Sequence, residues 1–307
     1  MKQYLSQLNE AQLAPTLQKE GPMIIIAGAG SGKTRVLTYR IAYLMSEGVD
    51  PFNILSLTFT NKAAREMKTR IASIVGDSEA KNLWMGTFHS VFARILRMEA
   101  DKLGYPSNFT ILDADDSKSL IKTIVKEMQL DDKIYKPNVV FNRISGAKNR
   151  LISWQEYNSN PTFMADDEGN MKPKLGEIYK TYSLRCFKSG AMDFDDLLFN
   201  TNVLFRDHLD VLNKYQHRFK YVMVDEFQDT NSIQYAWLRV LAGTQNQLMV
   251  VGDDDQSIYG WRGAKIENIQ QFNVDFSDAD TVRLEQNYRS TSTILKAANA
   301  LILNNQN

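Results

Sequence analysis

One cysteine in 307 residues, Cys186, has no partner for an intrachain disulfide, and three histidines (His89, His208, His217) are too few for a Cys/His zinc cluster. Both absences fit a reducing, cytosolic-type compartment. Neither sign of charge is in excess: 36 Lys and Arg face 36 Asp and Glu. That excludes a polybasic, tail-like binder and confines any nucleic-acid site to a local patch. Long apolar runs are missing too. The most apolar early stretch, Met23–Ala27, is far shorter than the ~20 residues that cross a bilayer, and the basic start and longer apolar run of a secretory signal are absent. The expectation is a cytoplasmic protein with no membrane partner. With 16 glycines, 7 prolines and 43% hydrophobic residues, the chain is neither low-complexity nor disordered. It is long enough for one large domain or two ordinary ones, with a core that needs no staples.

What is present is a rhythm of short apolar runs, each followed by amphipathic helical text, the pattern of βα units on a parallel sheet. Strands are expected at 23–27, 54–59 and 83–88, with helices over 32–47, 61–75 and 89–103. Leu37, Ile41 and Leu44 share one face of the first helix, and Gly48 stops it. From about residue 108 the text becomes charged and mostly helical, with Asp113 or Asp115 capping a helix over 117–128. Pro161, Pro173 and the cluster Asp166-Asp167-Glu168-Gly169-Asn170 read as surface loop. The βα rhythm returns at 221–225, 248–252 and 281–284. The reading is one α/β domain with a central parallel sheet, interrupted by an inserted, mostly helical subdomain.

Between the first strand and the first helix lies Ala27-Gly28-Ala29-Gly30-Ser31-Gly32-Lys33-Thr34. Glycines let backbone N–H groups close around phosphate oxygens, and the helix behind them points its positive end the same way. Lys33 is expected on the β- and γ-phosphates and the Thr34 hydroxyl on Mg²⁺. The usual pattern opens with glycine, where this chain has Ala27; the bland alternative is a glycine-rich strand-to-helix turn. Such a loop by itself signifies only a nucleoside triphosphate. Downstream, Tyr221-Val222-Met223-Val224-Asp225-Glu226 delivers two carboxylates to the sheet edge where α/β ligands sit. Asp225 is read as holding Mg²⁺ and Glu226 as accepting a proton from the attacking water; without the upstream loop, paired acids there would read as a solvated turn.

Four segments in order, AGAGSGKT, VDEFQDTN, VVGDDDQSIYGWRGA and LEQNYRS, resemble the N-terminal motor half of superfamily 1 DNA helicases of the UvrD/PcrA/Rep type. LNEAQ, LTFTNKAA and GTFHS are similar to further motifs of that family. The resemblance covers nearly the whole chain and implies a RecA-like P-loop NTPase domain, ATP and Mg²⁺ as nucleotide and metal, and single-stranded DNA and single-/double-strand junctions as partners, with 3′→5′ movement. It implies that Gln12 reads adenine, that Tyr288 stacks on it, that Arg289 reaches the γ-phosphate and that Gln256 senses it. Arg35 reads as a second nucleotide contact or as a surface residue. For DNA, the resemblance implies stacking by Trp261, a strand contact by Arg262, and base or backbone contacts by Phe59, Thr60, Asn61, His89 and Tyr259. Outside this context the Tyr259–Arg262 aromatics would read as core, and His89 as a capping or core histidine. Met192-Asp193-Phe194-Asp195-Asp196-Leu197 is read as a helix cap and packing element.

The implied organisation is a first ATP-binding part over 1–108, a helical insertion over 109–192, the rest of the ATP-binding domain over 193–290, and over 291–307 the start of a connection to a second RecA-like domain. On this reading residues 1–307 are a fragment of a chain at least twice as long, which binds ATP·Mg²⁺ weakly, hydrolyses it slowly and unwinds nothing. The expected setting is a bacterial-type cytosol, at the nucleoid, in repair, replication or recombination. A P-loop kinase or GTPase for a small substrate is the alternative enzyme class, and a non-catalytic ATP-gated module is a third reading.

Overall fold

The computed structural model describes residues 2–243, 247–260 and 263–303. Apolar runs rich in Ile, Leu, Val and Met become strands β1 (Met23–Ala27), β2 (Ile54–Thr58), β3 (Trp84–Thr87), β4 (Thr110–Leu112), β5 (Ala191–Asp193), β6 (Tyr221–Val224), β7 (Gln247–Gly252) and β8 (Asp280–Leu284). Six of them form one sheet in the order β3-β2-β6-β7-β1-β8, and its neighbouring pairs are parallel. The interior strands are buried almost end to end, as a sheet covered on both faces requires, whereas β8 at one edge is largely exposed. Each of the six strands read from the sequence is present within one or two residues at either end.

The chain divides into two compact units, 1–88 with 213–307, and His89–Leu212. In the first, the helix Lys33–Ser46 begins at Gly32, whose φ of 94° only glycine adopts without strain. It buries Val36, Leu37, Ile41 and Leu44 against Met23, Ile25 and Met249 of the sheet. The helix Asn61–Val75 is capped by the Thr60 hydroxyl, which accepts from the Ala63 amide at 3.1 Å, and stops at Gly76. The preceding helix, Glu10–Leu17, is fastened from below by Arg40. That side chain is buried among described residues that offer it carbonyls rather than a carboxylate: Nη1 donates to Pro15 O at 2.8 Å and to Gln18 O. Burial pushes its guanidinium down to about 10. Arg40 therefore ties the exit of the Gln12 helix to the helix that starts at Lys33.

The second unit is mostly helical, with Ile121, Ile124, Val140, Ile144, Ile178 and Tyr182 at its centre. Two short elements escaped the sequence pattern: β4 and β5 pair in parallel, Thr110 opposite Ala191 and Leu112 opposite Asp193. Another expectation is corrected. Residues 161–169 are a helix rather than a surface loop. Pro161 sits at its first turn, where a missing N–H costs nothing, and the Asn160 side chain caps it. Asp167 is buried there because the Tyr157 hydroxyl donates to it at 2.8 Å and Arg143 Nη2 lies 3.1 Å away.

Asp193 ends β5 and caps the helix Phe194–Asp207 through the Asp196 amide at 2.7 Å. Lys148, at the end of the helix Pro137–Lys148, places Nζ 2.7 Å from both Asp193 Oδ2 and Asp196 Oδ1, and the Tyr182 hydroxyl also donates to Asp193. All three charged groups are buried. Burial and the Asp193 charge push Asp196 up to about 7. Burial opposes the Asp193 charge as well, but Lys148 and the hydrogen bonds outweigh it and hold that carboxyl below its ordinary value. No helix among the described residues is long and apolar enough to cross a membrane.

Candidate functional site

The C-terminal ends of β1, β2, β6, β7 and β8 converge in the first unit. β1 ends at buried Ala27, opposite Leu284 of β8, and the chain then turns through exposed Gly28 and Ala29. Gly30 and Gly32 both hold positive φ, 76° and 94°. Neither position has room for a side chain: a Cβ on Gly30 would stand 2.7 Å from Arg289 Cβ, and one on Gly32 would stand 2.6 Å from the Gln12 amide. Ser31 Oγ donates to Gly28 O at 2.7 Å and closes the turn. Lys33 follows, buried, with Nζ 3.7 Å from Glu226 Oε2 and 3.9 Å from Asp253 Oδ2. Neither separation is a hydrogen bond, and among the described residues the ammonium has no hydrogen-bond partner. A buried cation left in this condition under a glycine cradle fits an oxygen-rich anion.

Asp225 continues β6 by one step, its amide donating to Leu57 O at 2.8 Å. It is buried, and burial, followed by the Glu226 charge, pushes its carboxyl up to about 7. Glu226 adopts the left-handed conformation, φ 52°, a strained choice for a residue with a side chain. That turn leaves the Glu226 carboxylate partly open, with Gln228 Nε2 donating to it at 2.8 Å. Gln228 also accepts from the Asp253 amide at 3.0 Å and so links the ends of β6 and β7. Asp229 follows on the same 3-10 turn; its Oδ1 is buried and has no hydrogen-bond partner among the described residues, and burial and the Glu226 charge raise it to about 6. From the sequence, Gln228 and Asp229 are only context for Asp225 and Glu226, with no role of their own, because their environment depends on strands far apart in the chain. Gln256 is hydrogen-bonded to Asp253, which brings it to the same end of the sheet as Lys33.

After β8 the segment 287–290 returns over the glycine loop. Tyr288 N donates to Gly30 O at 2.9 Å, and the Tyr288 hydroxyl accepts from Asn9 Nδ2 at 2.6 Å. Arg289 is exposed beside the loop. Gln12 is buried with its amide committed: Nε2 donates to Ser31 O at 2.8 Å, and Oε1 accepts from Asn9 N at 3.3 Å. Arg35 is exposed on the helix behind Lys33, and Thr34 occupies that helix's first turn.

Of the aromatic residues read from the sequence, Phe59 and Tyr259 meet in the first unit, ring centroids 4.7 Å apart at 35°. Asn61 is exposed next to the Thr60 cap. Trp261 and Arg262 lie outside the described residues. His89 belongs to the second unit, where it meets half-exposed Phe194 edge-on at 5.8 Å. Burial pushes its imidazole below the ordinary value, against the Asp195 charge. Phe194 is an exposed aromatic that the sequence assigned only to packing.

A glycine-rich turn from a buried parallel strand into a helix, with an acidic strand end beside its lysine, is the phosphate-binding arrangement of the P-loop class, here in a RecA-like fold. The chain belongs to the family described as the UvrD/REP helicase N-terminal domain, whose model matches residues 8–277. Among its relatives, the ATP-dependent DNA helicase PcrA of Staphylococcus aureus is 48% identical over 306 residues, and that of Staphylococcus epidermidis is 47% identical over 308. Each alignment covers 99% of this chain and 41% of the relative. The chain thus spans less than half the length of these relatives.

One prediction arises from Asp225. A carboxyl raised to about 7 keeps its proton below that pH, and the Mg²⁺ role expected of Asp225 needs the ionised form. The same shift means that Asp225 stabilises the metal-free fold fully below its ordinary value of 3.8, and that this contribution is lost as pH rises toward 7. Affinity for Mg²⁺·ATP is therefore expected to climb with pH between 5.5 and 7, at up to about tenfold per unit, and to flatten above. ATP titrates in the same range, so the check is calorimetry at several pH values on wild type and Asp225→Asn. Identical slopes for the two would rule Asp225 out as the titrating group.

Proposed function

We propose that this chain is the ATP-binding and hydrolysing region of an ATP-dependent DNA helicase, coupling Mg²⁺·ATP hydrolysis to a grip on single-stranded DNA. The observation that carries the reading is the buried Lys33 ammonium, 3.7 Å and 3.9 Å from two carboxylates and hydrogen-bonded to neither, behind a loop crowded at Gly30 and Gly32. In this reading the backbone of residues 27–32 encloses the phosphates and Lys33 neutralises them. Thr34 and Asp225 hold Mg²⁺, which offsets phosphate charge when bound. Glu226, partly open and oriented by Gln228, takes the proton of the attacking water. Gln256 and Arg289 face the γ-phosphate, and a planar, permanent cation at Arg289 suits charge spread over phosphoryl oxygens. Tyr288 stacks on adenine. Gln12 braces Ser31 through the amide that would read the base, so adenine recognition by Gln12 requires that brace to be exchanged.

For DNA, Phe59 and Tyr259 supply a stacking surface, supplemented by Thr60, Asn61, Trp261 and Arg262, and His89 with Phe194 a second one. We read 1–108 and 193–290 as the ATP-binding domain, 109–192 as the insertion and 291–307 as the lead toward a second RecA-like domain. Unwinding, 3′→5′ movement, junction binding and a place at the nucleoid of a bacterial-type cytosol belong to the same proposal. This region alone is expected to bind nucleotide without displacing strands. A small-molecule kinase would have no use for the Phe59–Tyr259 pair. Two substitutions test the reading on the 307-residue chain: Lys33→Ala should weaken ATP binding at least tenfold and leave single-stranded DNA binding nearly intact, and Phe59→Ala should do the reverse. ATP binding that ignores Lys33→Ala would refute the nucleotide assignment.

A further inference from the structure

Segment 287–290 carries two expected nucleotide contacts, Tyr288 and Arg289, both with exposed side chains, and its backbone has to be fixed against the glycine loop. Asn287 does this from both ends of its amide. Its Oδ1 accepts from Arg289 N and from Ser290 N, each at 2.8 Å, which folds the segment into a turn. Its Nδ2 donates to Ala29 O in the glycine loop. One residue on, Tyr288 N donates to Gly30 O. Packing is so close that a Cβ on Gly30 would stand 2.9 Å from either polar atom of the Asn287 amide and 2.7 Å from Arg289 Cβ. The absence of a side chain at Gly30 therefore leaves room for the 287–289 segment as well as for a phosphate. Ala29 and Asn287 are 258 residues apart in the chain, which is why no local pattern reveals the contact.

We propose that Asn287 is a positioning residue for γ-phosphate recognition: it seats Arg289 on the phosphate loop, so that the arginine's reach is set within this domain. The inference rests on the ATP reading above and deepens it. The two halves of the amide have separable tasks. The acceptor shapes the turn; the donor, reaching Ala29, registers that turn against the phosphates. Aspartate at this position would bring a negative charge beside the nucleotide, so neutral replacements are required. Serine keeps a short acceptor for the turn amides and loses the reach to Ala29; alanine loses both.

The test is a double-mutant cycle read by binding of Mg²⁺·ATP and Mg²⁺·ADP to the full 307-residue chain. Asn287→Ser and Asn287→Ala should each lower affinity for ATP by about tenfold while shifting ADP by less than about threefold, because only ATP presents the γ-phosphate. A displacement of about 1 Å is enough for losses of this order. Arg289→Ala should show the same ATP-selective loss. In the Arg289→Ala background, removing Asn287 should cost less than about twofold more, since a residue that acts through the arginine has nothing left to position. Equal losses for ATP and ADP, or a full second loss in the Arg289→Ala background, would make Asn287 a merely structural residue and overturn the assignment, as would unchanged ATP affinity in both Asn287 variants. Lys33→Ala separates the two layers. If it abolishes ATP binding while Asn287 variants behave as wild type, only the positioning role fails; if it changes nothing, the ATP site itself is misassigned.

Discussion

Glu226→Gln is expected to leave Mg²⁺·ATP affinity within about threefold of wild type while lowering turnover by 10² to 10⁴, the range for removal of a positioned general base. Glutamine keeps the size of the side chain and can still meet Gln228 Nε2 through its carbonyl oxygen, so the left-handed turn at residue 226 should survive. What disappears is the capacity to take a proton from water. Lys33 loses one of two nearby carboxylates, which if anything strengthens its hold on phosphate. The measurement is single-turnover hydrolysis with single-stranded DNA present, on a chain that contains this domain and supports turnover, alongside equilibrium binding. A loss of less than tenfold would move the base elsewhere, with Asp229, buried and raised to about 6, the first residue to test. Equal loss of binding and turnover would mean that Glu226 supports the site rather than the chemical step.

The second large effect concerns stability. Lys148→Met is expected to lower the unfolding free energy by about 3–5 kcal/mol, because it leaves Asp193 and Asp196 buried without their cation. Part of the charge can be shed by protonation, since Asp196 already lies near 7, so the loss should be smaller at pH 5.5 than at pH 8. Adding Asp193→Asn and Asp196→Asn to Lys148→Met should recover most of the stability, as the uncompensated charges go while asparagine still caps the helix Phe194–Asp207. Urea denaturation of the three proteins at both pH values decides the matter. A cost below about 1 kcal/mol for Lys148→Met alone would show that the cluster is solvated in solution.

The α/β framework was legible because its strands are short, apolar and regularly followed by amphipathic helices. The phosphate loop was legible because its glycines, Lys33 and Thr34 stand between a strand and a helix. The two-stranded pairing of β4 with β5 was not legible: three residues carry too little periodicity to register. Residues 161–169 misled for a different reason. Proline with Asp-Asp-Glu-Gly-Asn has the composition of a loop, and the partners that make a helix there, Arg143 and Tyr157, act across space. Within the site, Lys33, Asp225 and Glu226 could be named from motif chemistry and Gln256 from the family resemblance, and the structure gathers them at one end of the sheet. Gln12 shows the limit of that approach, since its amide is committed to Asn9 and Ser31. Asn287 and Gln228 show another, because their contacts join segments that only the folded topology brings together.

The lateral sequence β6-β7-β1-β8 has a mechanical consequence. Those four adjacent strands lead to Asp225, Gln256, Lys33 and Arg289 respectively, so on the proposed roles a triphosphate would be held by groups drawn from four of the sheet's six strands. On those roles, loss of the terminal phosphoryl group would release Gln256 and Arg289, beyond β7 and β8, and leave Lys33 beyond β1 and Asp225 beyond β6 loaded. Nucleotide turnover would then be felt as a change in tension across the sheet, greatest at the thinly covered β8 margin.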